Sequence, residues 1–212
     1  MLKIENTTVW GFEHAIRGMR NPMNSWVKSD SGQTGRFVNG VAEIYIGPND
    51  LKLMRQLYKA GPEHRKYLRQ IFVSMDITAP LYWWKEFDTY KVGTVSNSCS
   101  TMHKIAEKPF KLNDFSCEHL NVESRAVMIG IVTCLNEVRD NYRKSGDKED
   151  WWQMIQLLPS SYNQKRTITM TYENVASIIH QRAGHKLDEW RWLVNQMTYL
   201  PYAREIMGDI EW

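Results

Sequence analysis

Apolar and polar residues alternate from the start of the chain, and "LKIENTTVWG", rich in β-branched side chains, predicts a strand. "FEHAIRGMRNP" predicts a short helix stopped at Pro22. "NSWVKSDSGQTGRFVNG" reads as a long polar loop, and such a segment in a compact domain is often functional. "AEIYIG" predicts a strand. "GPNDLKLMRQLYKAG" predicts a helix with a start signal at Pro48 to Asp50 and a stop at Gly61.

"RQIFVSMDITAP" predicts a buried strand and "LYWWKEFDTYK" the helix after it. From Val122 to Tyr142, apolar residues recur at Val127, Ile131, Cys134, Leu135, Val138 and Tyr142. That spacing is the stripe of a long helix, expected to form the spine of the domain. "KEDWWQMIQLLP" predicts a shorter helix, "KRTITMTY" a strand and "ENVASIIHQRAG" a helix ending at Gly184. "LDEWRWLVNQMTYLPYAREIMG" closes the chain helically. The order of elements, with no repeat and no linker, predicts one α+β domain over 1–212. A central, mostly antiparallel sheet would pack against long helices.

Charge and cysteine usage narrow the function classes. The net charge is +3 and no run of five or six like charges occurs, so a nucleic-acid partner is not expected. A basic pocket for a small anion stays open. Cys99, Cys117 and Cys134 form no C-x-x-C pair, which argues for a reducing compartment and against a disulfide framework or a structural zinc site. His180 and His185 lie five apart, off the spacing that puts two ligands on one helical face, so no metal is expected. The N-terminus lacks the apolar core of a signal peptide, and no apolar run approaches the ~20 residues of a membrane span. A soluble, cytoplasmic protein follows as the expectation. Nine tryptophans exceed what one small core comfortably hides, which predicts a subunit interface.

The densest chemistry lies in "APLYWWKEFDTYKVGTVSNSCSTMHK", Ala79 to Lys104. An aromatic segment turns there into hydroxyls, an amide, a thiol, a histidine and lysines. It is either a plain loop leaving a helix or a wall of hydrogen-bonding groups around a ligand. Backbone N–H groups of the loop, with a helix start around Met102 to Ile105, could cradle a phosphate, and His103 and Lys104 add positive charge.

This segment resembles the hallmark of the flavin-dependent thymidylate synthases, R-Q-W-x-R-H-R-x-x-S-x-N-E-x-S-x-R-Y after an "AP" at a strand end. Aligned without gaps from Ala79-Pro80, the chain carries Lys85, Glu86 and Phe87, then Thr89, Tyr90 and Lys91, then Thr94. Ser96 and Asn97 fall on the N-E pair and Cys99 on the second serine. A shift of one residue puts Asn97 on the asparagine and Ser100 on the serine instead. A second stretch, from "LLPSSYNQKRTITMTYENVASIIHQRAG" to Glu189-Trp190, is similar to the family's run from "LP" through N-A-R-S to Q-W. The "GPEH" turn, Gly61 to His64, resembles the family's T-P-x-E-H. The family's R-H-R is here Thr89-Tyr90-Lys91, and its N-A-R-S is Thr171-Tyr172-Glu173-Asn174. Its phosphate-binding arginine falls at Trp151.

The resemblance implies a homotetramer with FAD as cofactor and NADPH and methylenetetrahydrofolate as co-substrates. The reaction it implies is reductive methylation at C5 of a deoxyuridine monophosphate-type pyrimidine nucleotide. It assigns Glu63, His64, Tyr90, Lys91, Thr94 and Asn174 to the cofactor. Asn97, Ser98, Cys99, Ser100, His103 and Lys104 go to the substrate, with the phosphate on Ser98 to Lys104. Arg182 falls on the arginine that contacts the pyrimidine ring, and Glu86 on a substrate-contacting glutamine, so both are assigned to catalysis. A carboxylate accepts where an amide also donates, so Glu86 would suit a base other than uracil. Cys99 is either a nucleophile or a small filler. Arg182 needs a partner, either a ligand carbonyl or a carboxylate such as Glu173, Asp188 or Glu189. The alternative function is a non-catalytic nucleotide-binding or assembly protein that kept the fold, or a flavin enzyme modifying another pyrimidine nucleotide.

Overall fold

A computed structural model describes residues 2–208 of the chain. The fold is α+β, with a sheet of four strands in the order β1-β4-β6-β5 and a separate two-stranded sheet. The four are β1 (Lys3–Trp10), β4 (Phe72–Pro80), β6 (Asn163–Thr171) and β5 (Thr94–Ser98). The chain divides into two compact units. One contains Ile77–Thr89 and Asn97–Thr167, and the other contains Ile4–Asp76, Tyr90–Ser96 and the chain from Ile168 onward.

In the second of these units, the Tyr172 N–H donates to the Ile71 carbonyl at 2.9 Å and the Thr169 hydroxyl to Ser74 at 3.1 Å. One partner advances as the other recedes, so β4 and β6 run antiparallel. Alternation buries Val73 and Met75 on β4, and Ile168 and Met170 on β6. Helix α1 (Phe12–Arg20) buries Phe12, Ala15, Ile16 and Met19. It starts after Gly11, whose φ is +97° and whose Cβ would stand 2.1 Å from the Gln70 carbonyl oxygen. Only glycine fits there. Helices α6 (Tyr172–Arg182) and α7 (Asp188–Thr198) pack on each other and bury Val175, Ile178, Trp190, Leu193 and Val194. Tyr172 is fully buried and donates to the Pro201 carbonyl at 2.8 Å, and burial pushes its phenol far up. Chain closure comes from α8 (Ala203–Met207), packed on α2 (Pro48–Lys59).

The polar loop expected over 24–40 holds only as far as Ser31, with one 3-10 turn at Trp26–Lys28. Residues Gly32–Val38 (β2) pair with Val41–Tyr45 (β3) as an antiparallel hairpin, Val38 opposite Val41 and Gln33 opposite Ile44. Asn39 and Gly40 form its turn with φ of +51° and +77°. Two positive φ values in a row define the Asn-Gly hairpin turn, whose twist matches that of the strands. The polar composition misled because the hairpin exposes its side chains: Phe37 is 73% exposed.

At the start of α2, Asp50 is fully buried and ion-paired to Arg20 at 2.6 Å. Its second oxygen accepts the Ser29 and Ser31 hydroxyls, both at 2.7 Å, and the N–H groups of Asp30 and Ser31. Burial alone would raise this carboxyl. The bonds from Ser31, Ser29, Arg20 and the Asp30 N–H outweigh it and hold the group below its ordinary value.

In the other unit, α3 (Leu81–Phe87) buries Trp83, Trp84 and Phe87 as a set of mutually packed rings. The helix stops at Phe87, short of the expected Lys91. Leu135 and Val138 on α4 (Val122–Ser145) and Met154 on α5 (Lys148–Leu157) form a core with Ile105, Phe110, Phe115 and Cys117. The stripe expected to make α4 a buried spine is only half covered within the chain. Leu135 is fully buried, whereas Val127 is 65% exposed and Cys134 is exposed. Spacing places residues on one face of a helix and does not say what covers that face. No helix among the described residues is long and apolar enough to cross a membrane.

Candidate functional site

Helix α6 organises most of the predicted residues in its unit. Thr171 and Asn174 form a capping box at its N-terminus, the Thr171 hydroxyl meeting Asn174 Oδ1 at 2.6 Å. The Asn174 amide nitrogen donates to the Val92 carbonyl at 2.7 Å. Gly93 lies so close that a Cβ there would be 2.9 Å from Asn174 Oδ1. These contacts lay the segment Tyr90–Ser96 against α6.

At the other end of the helix, the Tyr90 hydroxyl donates to Gln181 Oε1 at 2.9 Å and accepts from Arg182 Nε at 3.0 Å. The guanidinium carbon of Arg182 lies 4.8 Å from the Trp190 ring centre and 5.6 Å from that of Tyr90. The two rings are 6.0 Å apart, and His185 packs edge-on to Trp190 at the same distance. A planar guanidinium held beside two aromatic rings has lost much of its rotamer freedom and is suited to a flat ligand with carbonyl acceptors. Of the three carboxylates weighed for Arg182, Glu173 pairs with Arg65.

Glu173 stands at the position of the flavin-side arginine in the resemblance. Its Oε1 accepts from Arg65 Nη2 at 2.8 Å and Nε at 3.1 Å, and each side chain is 19% exposed. Its Oε2 is buried with no hydrogen-bond partner among the described residues, as is the Thr94 hydroxyl. Arg65 also lies 5.1 Å over the Tyr58 ring, whose phenol is raised by burial. Glu63 and His64 are both exposed in the turn just before Arg65. The turn closes through the His64 N–H on the Gly61 carbonyl at 3.0 Å, and it delivers Arg65 to Glu173. Lys91 is exposed.

The remaining predicted residues belong to the other unit. Glu86 is half-buried in the last turn of α3. The expected loop begins as a strand: β5 carries Asn97 and Ser98, both exposed, and Cys99 continues it with its N–H on the Lys165 carbonyl at 2.9 Å. Gln164 Nε2 donates to the Cys99 carbonyl at 2.8 Å. No helix starts at Met102 to Ile105, which are turns. The Ser100 hydroxyl accepts the N–H groups of Met102 at 3.2 Å and His103 at 3.0 Å. Those donors, expected to face a phosphate, are spent within the loop. Exposed Lys104 is ion-paired with Glu107, and His103 is exposed. Trp151 Nε1 donates to the Met102 carbonyl at 3.1 Å, so that residue anchors the same loop.

Sequence reasoning missed Arg65, Gln181 and the part played by Trp190. Arg65 directly follows the quoted "GPEH", and an arginine beside a noted turn was the available signal. Gln181 carried none.

No protein-family profile matches the chain, and no curated protein matches it in sequence. Its fold has close counterparts among solved structures. Thymidylate Synthase X (ThyX) from Helicobacter pylori with FAD and dUMP aligns with a TM-score of 0.71 and 15% identity, over 99% of this chain and 98% of that one. A second structure is flavin dependent thymidylate synthase ThyX from the same organism, also complexed with FAD and dUMP. It aligns with a TM-score of 0.68 and 16% identity, over 98% and 97% of the two chains. The likeness at this identity is one of fold.

Proposed function

We propose that this chain binds a pyrimidine nucleotide monophosphate on a thymidylate synthase-like fold and presses its base against Arg182. The carrying observation is that Arg182 is held by the Tyr90 hydroxyl, itself fixed on Gln181, and by the Trp190 ring. A full-length fold match to structures holding dUMP supports the choice of ligand. Arginine donates and never accepts, so it suits the carbonyl oxygens of a pyrimidine. A guanidinium there withdraws electron density from the ring and readies it for reaction at C5. The fold neighbours are enzymes, which favours one that acts on the bound base, such as a methyltransferase of the thymidylate synthase type.

FAD is the cofactor the fold implies, and it would supply the redox chemistry of reductive methylation. The residues present do not fit it as the resemblance would have it. A diphosphate needs cations or free N–H donors. Here Glu173 puts a carboxylate where the family has arginine, and Arg65 is committed to it. Asn174 is occupied by Thr171 and Val92, and Tyr90 by Gln181 and Arg182. No step through a flavin, NADPH or methylenetetrahydrofolate is therefore assigned. This charge pattern favours the second reading, a nucleotide-binding protein that kept the fold without the flavin.

The purified protein is expected to show no flavin absorption bands and to gain none from added FAD. A saturating amount of dUMP, about a hundred times Kd, should stabilise it by about 2.7 kcal/mol, or roughly 5–11 °C in melting temperature. Flavin bands would reverse the cofactor assignment. Indifference to dUMP, dCMP and dTMP alike at millimolar concentration would end the nucleotide reading.

We propose further that the chain is a homotetramer, built in part on the uncovered apolar face of α4. Val122 is 80% exposed there, and Ile129, seven residues on and so on the same side of the helix, is 50% exposed. Burying such a stripe against another copy gains roughly 25 cal/mol per Å² of apolar surface. Sedimentation showing only a 25.0 kDa species would remove this proposal.

A further inference from the structure

A cavity of about 280 Å³ opens beside α1, on the side of the segment that leads into the β2–β3 hairpin. It takes no part in the nucleotide reading. Glu13, Ile16, Arg17 and Arg20 all line it, and the spacing i, i+3, i+4, i+7 places them on one face of α1. Ile44 and the Trp26 indole, held by its N–H on Asn21 Oδ1 at 2.8 Å, supply apolar surface.

Arg20 is 4% exposed and fixed by Nε on Asp50 at 2.6 Å and Nη1 on the Ser25 carbonyl at 3.2 Å. Its Nη2 has no partner among the described residues. Glu13 and Arg17 are four residues apart, the spacing at which opposite charges ordinarily pair on a helix. Here Glu13 accepts from Gln33 Nε2 at 2.5 Å, and Arg17 reaches only His14, at 3.5 Å. One cavity wall thus presents a carboxylate and guanidinium donors that do not satisfy each other. A simple anion would meet the Glu13 charge, and a simple cation would meet two guanidinium groups. A molecule with both charges meets complementary partners at each end. The volume lies just below the ~300–1,000 Å³ usual for small-molecule pockets, enough for an amino acid.

We infer that this cavity binds a zwitterion of the α-amino acid class. The carboxylate goes to Arg17 and Arg20, the ammonium to Glu13, and an apolar or aromatic side chain lies against Ile16, Ile44 and Trp26.

The test follows the Trp26 indole N–H by NMR in the full chain, its resonance identified by its loss in Trp26→Phe. L-phenylalanine is titrated beside hydrocinnamate, which lacks the amine, and phenethylamine, which lacks the carboxylate. L-phenylalanine should shift the resonance saturably, and each truncated compound should bind about ten- to a hundredfold more weakly, as expected for one lost charged hydrogen bond. Glu13 is exposed, so Glu13→Gln should fold normally. It should weaken L-phenylalanine about tenfold and leave hydrocinnamate no weaker, since the repelling charge is gone. A resonance indifferent to both L-phenylalanine and L-leucine overturns the inference. So does hydrocinnamate binding as tightly as L-phenylalanine.

Discussion

Asp50→Ala is expected to cost about 3–5 kcal/mol of folding stability and roughly 6–20 °C in melting temperature. The carboxylate has no exposed surface and is the common acceptor for Arg20, Ser29, Ser31 and the Asp30 N–H. Removing it leaves a guanidinium that is 4% exposed without its counter-charge. A buried ion pair contributes little over a well-packed apolar pair, yet breaking one from a single side is costly. Asp50→Asn should also destabilise, because an amide NH₂ would face N–H and O–H donors. Acid should reproduce the loss. The folded-state carboxyl titrates below its unfolded value of about 3.9, so its contribution is complete above that pH. It disappears as pH falls through the folded value, and Asp50→Asn should lack this part of the acid transition. Chemical denaturation from pH 7 to pH 3 measures both. An Asp50→Ala variant within 1 kcal/mol of the parent, a margin well under the ~3 kcal/mol expected, would show that the cluster is solvated in solution.

Arg182→Ala should weaken dUMP binding about 10²-fold, the value of a lost charged hydrogen bond near 3 kcal/mol. Its effect on stability should be far smaller. The bond to Tyr90 and the position over two aromatic rings, both lost in this variant, are together worth about 1–2 kcal/mol or a few degrees of melting temperature. Tyr90→Phe keeps the ring and removes the hydroxyl that fixes the guanidinium. It should lose affinity to an intermediate degree, because the donor remains and its orientation is freed. Calorimetry with dUMP and thermal melts of the same variants separate the two effects. A strongly destabilised Arg182→Ala whose folded fraction binds dUMP normally would make the arginine a structural residue, and the nucleotide reading would lose its anchor.

Local periodicity was enough to find most of the elements. The strand expected at "KRTITMTY" and the helix expected at "ENVASIIHQRAG" rest on alternation and on apolar spacing, and they appear as Asn163–Thr171 and Tyr172–Arg182. Each of those signals acts within a few residues. The hairpin turn at Asn39-Gly40 was equally local and was readable, but polarity around it drew the segment towards a loop. The likeness of fold to the flavin-dependent thymidylate synthases was also expected from the sequence, on the segments around "AP" and "LP".

Which polar side chains work together was decided elsewhere. Arg182 meets Tyr90 across 92 positions, Arg65 meets Glu173 across 108, and Arg20 meets Asp50 across 30. Asn174 and Ser100 looked like ligand contacts because their chemistry permits it, and the folded chain spends them on Val92, Thr171, Met102 and His103. A side chain's type fixes what it can donate or accept. Which partner it takes depends on which groups the packing of distant segments brings within about 3 Å, and on burial that makes an unmet bond costly. The sequence therefore determined the elements, their order and the family they resemble. Only the tertiary structure decided that Glu173 answers Arg65 and that Tyr90 and Trp190 hold Arg182 in place.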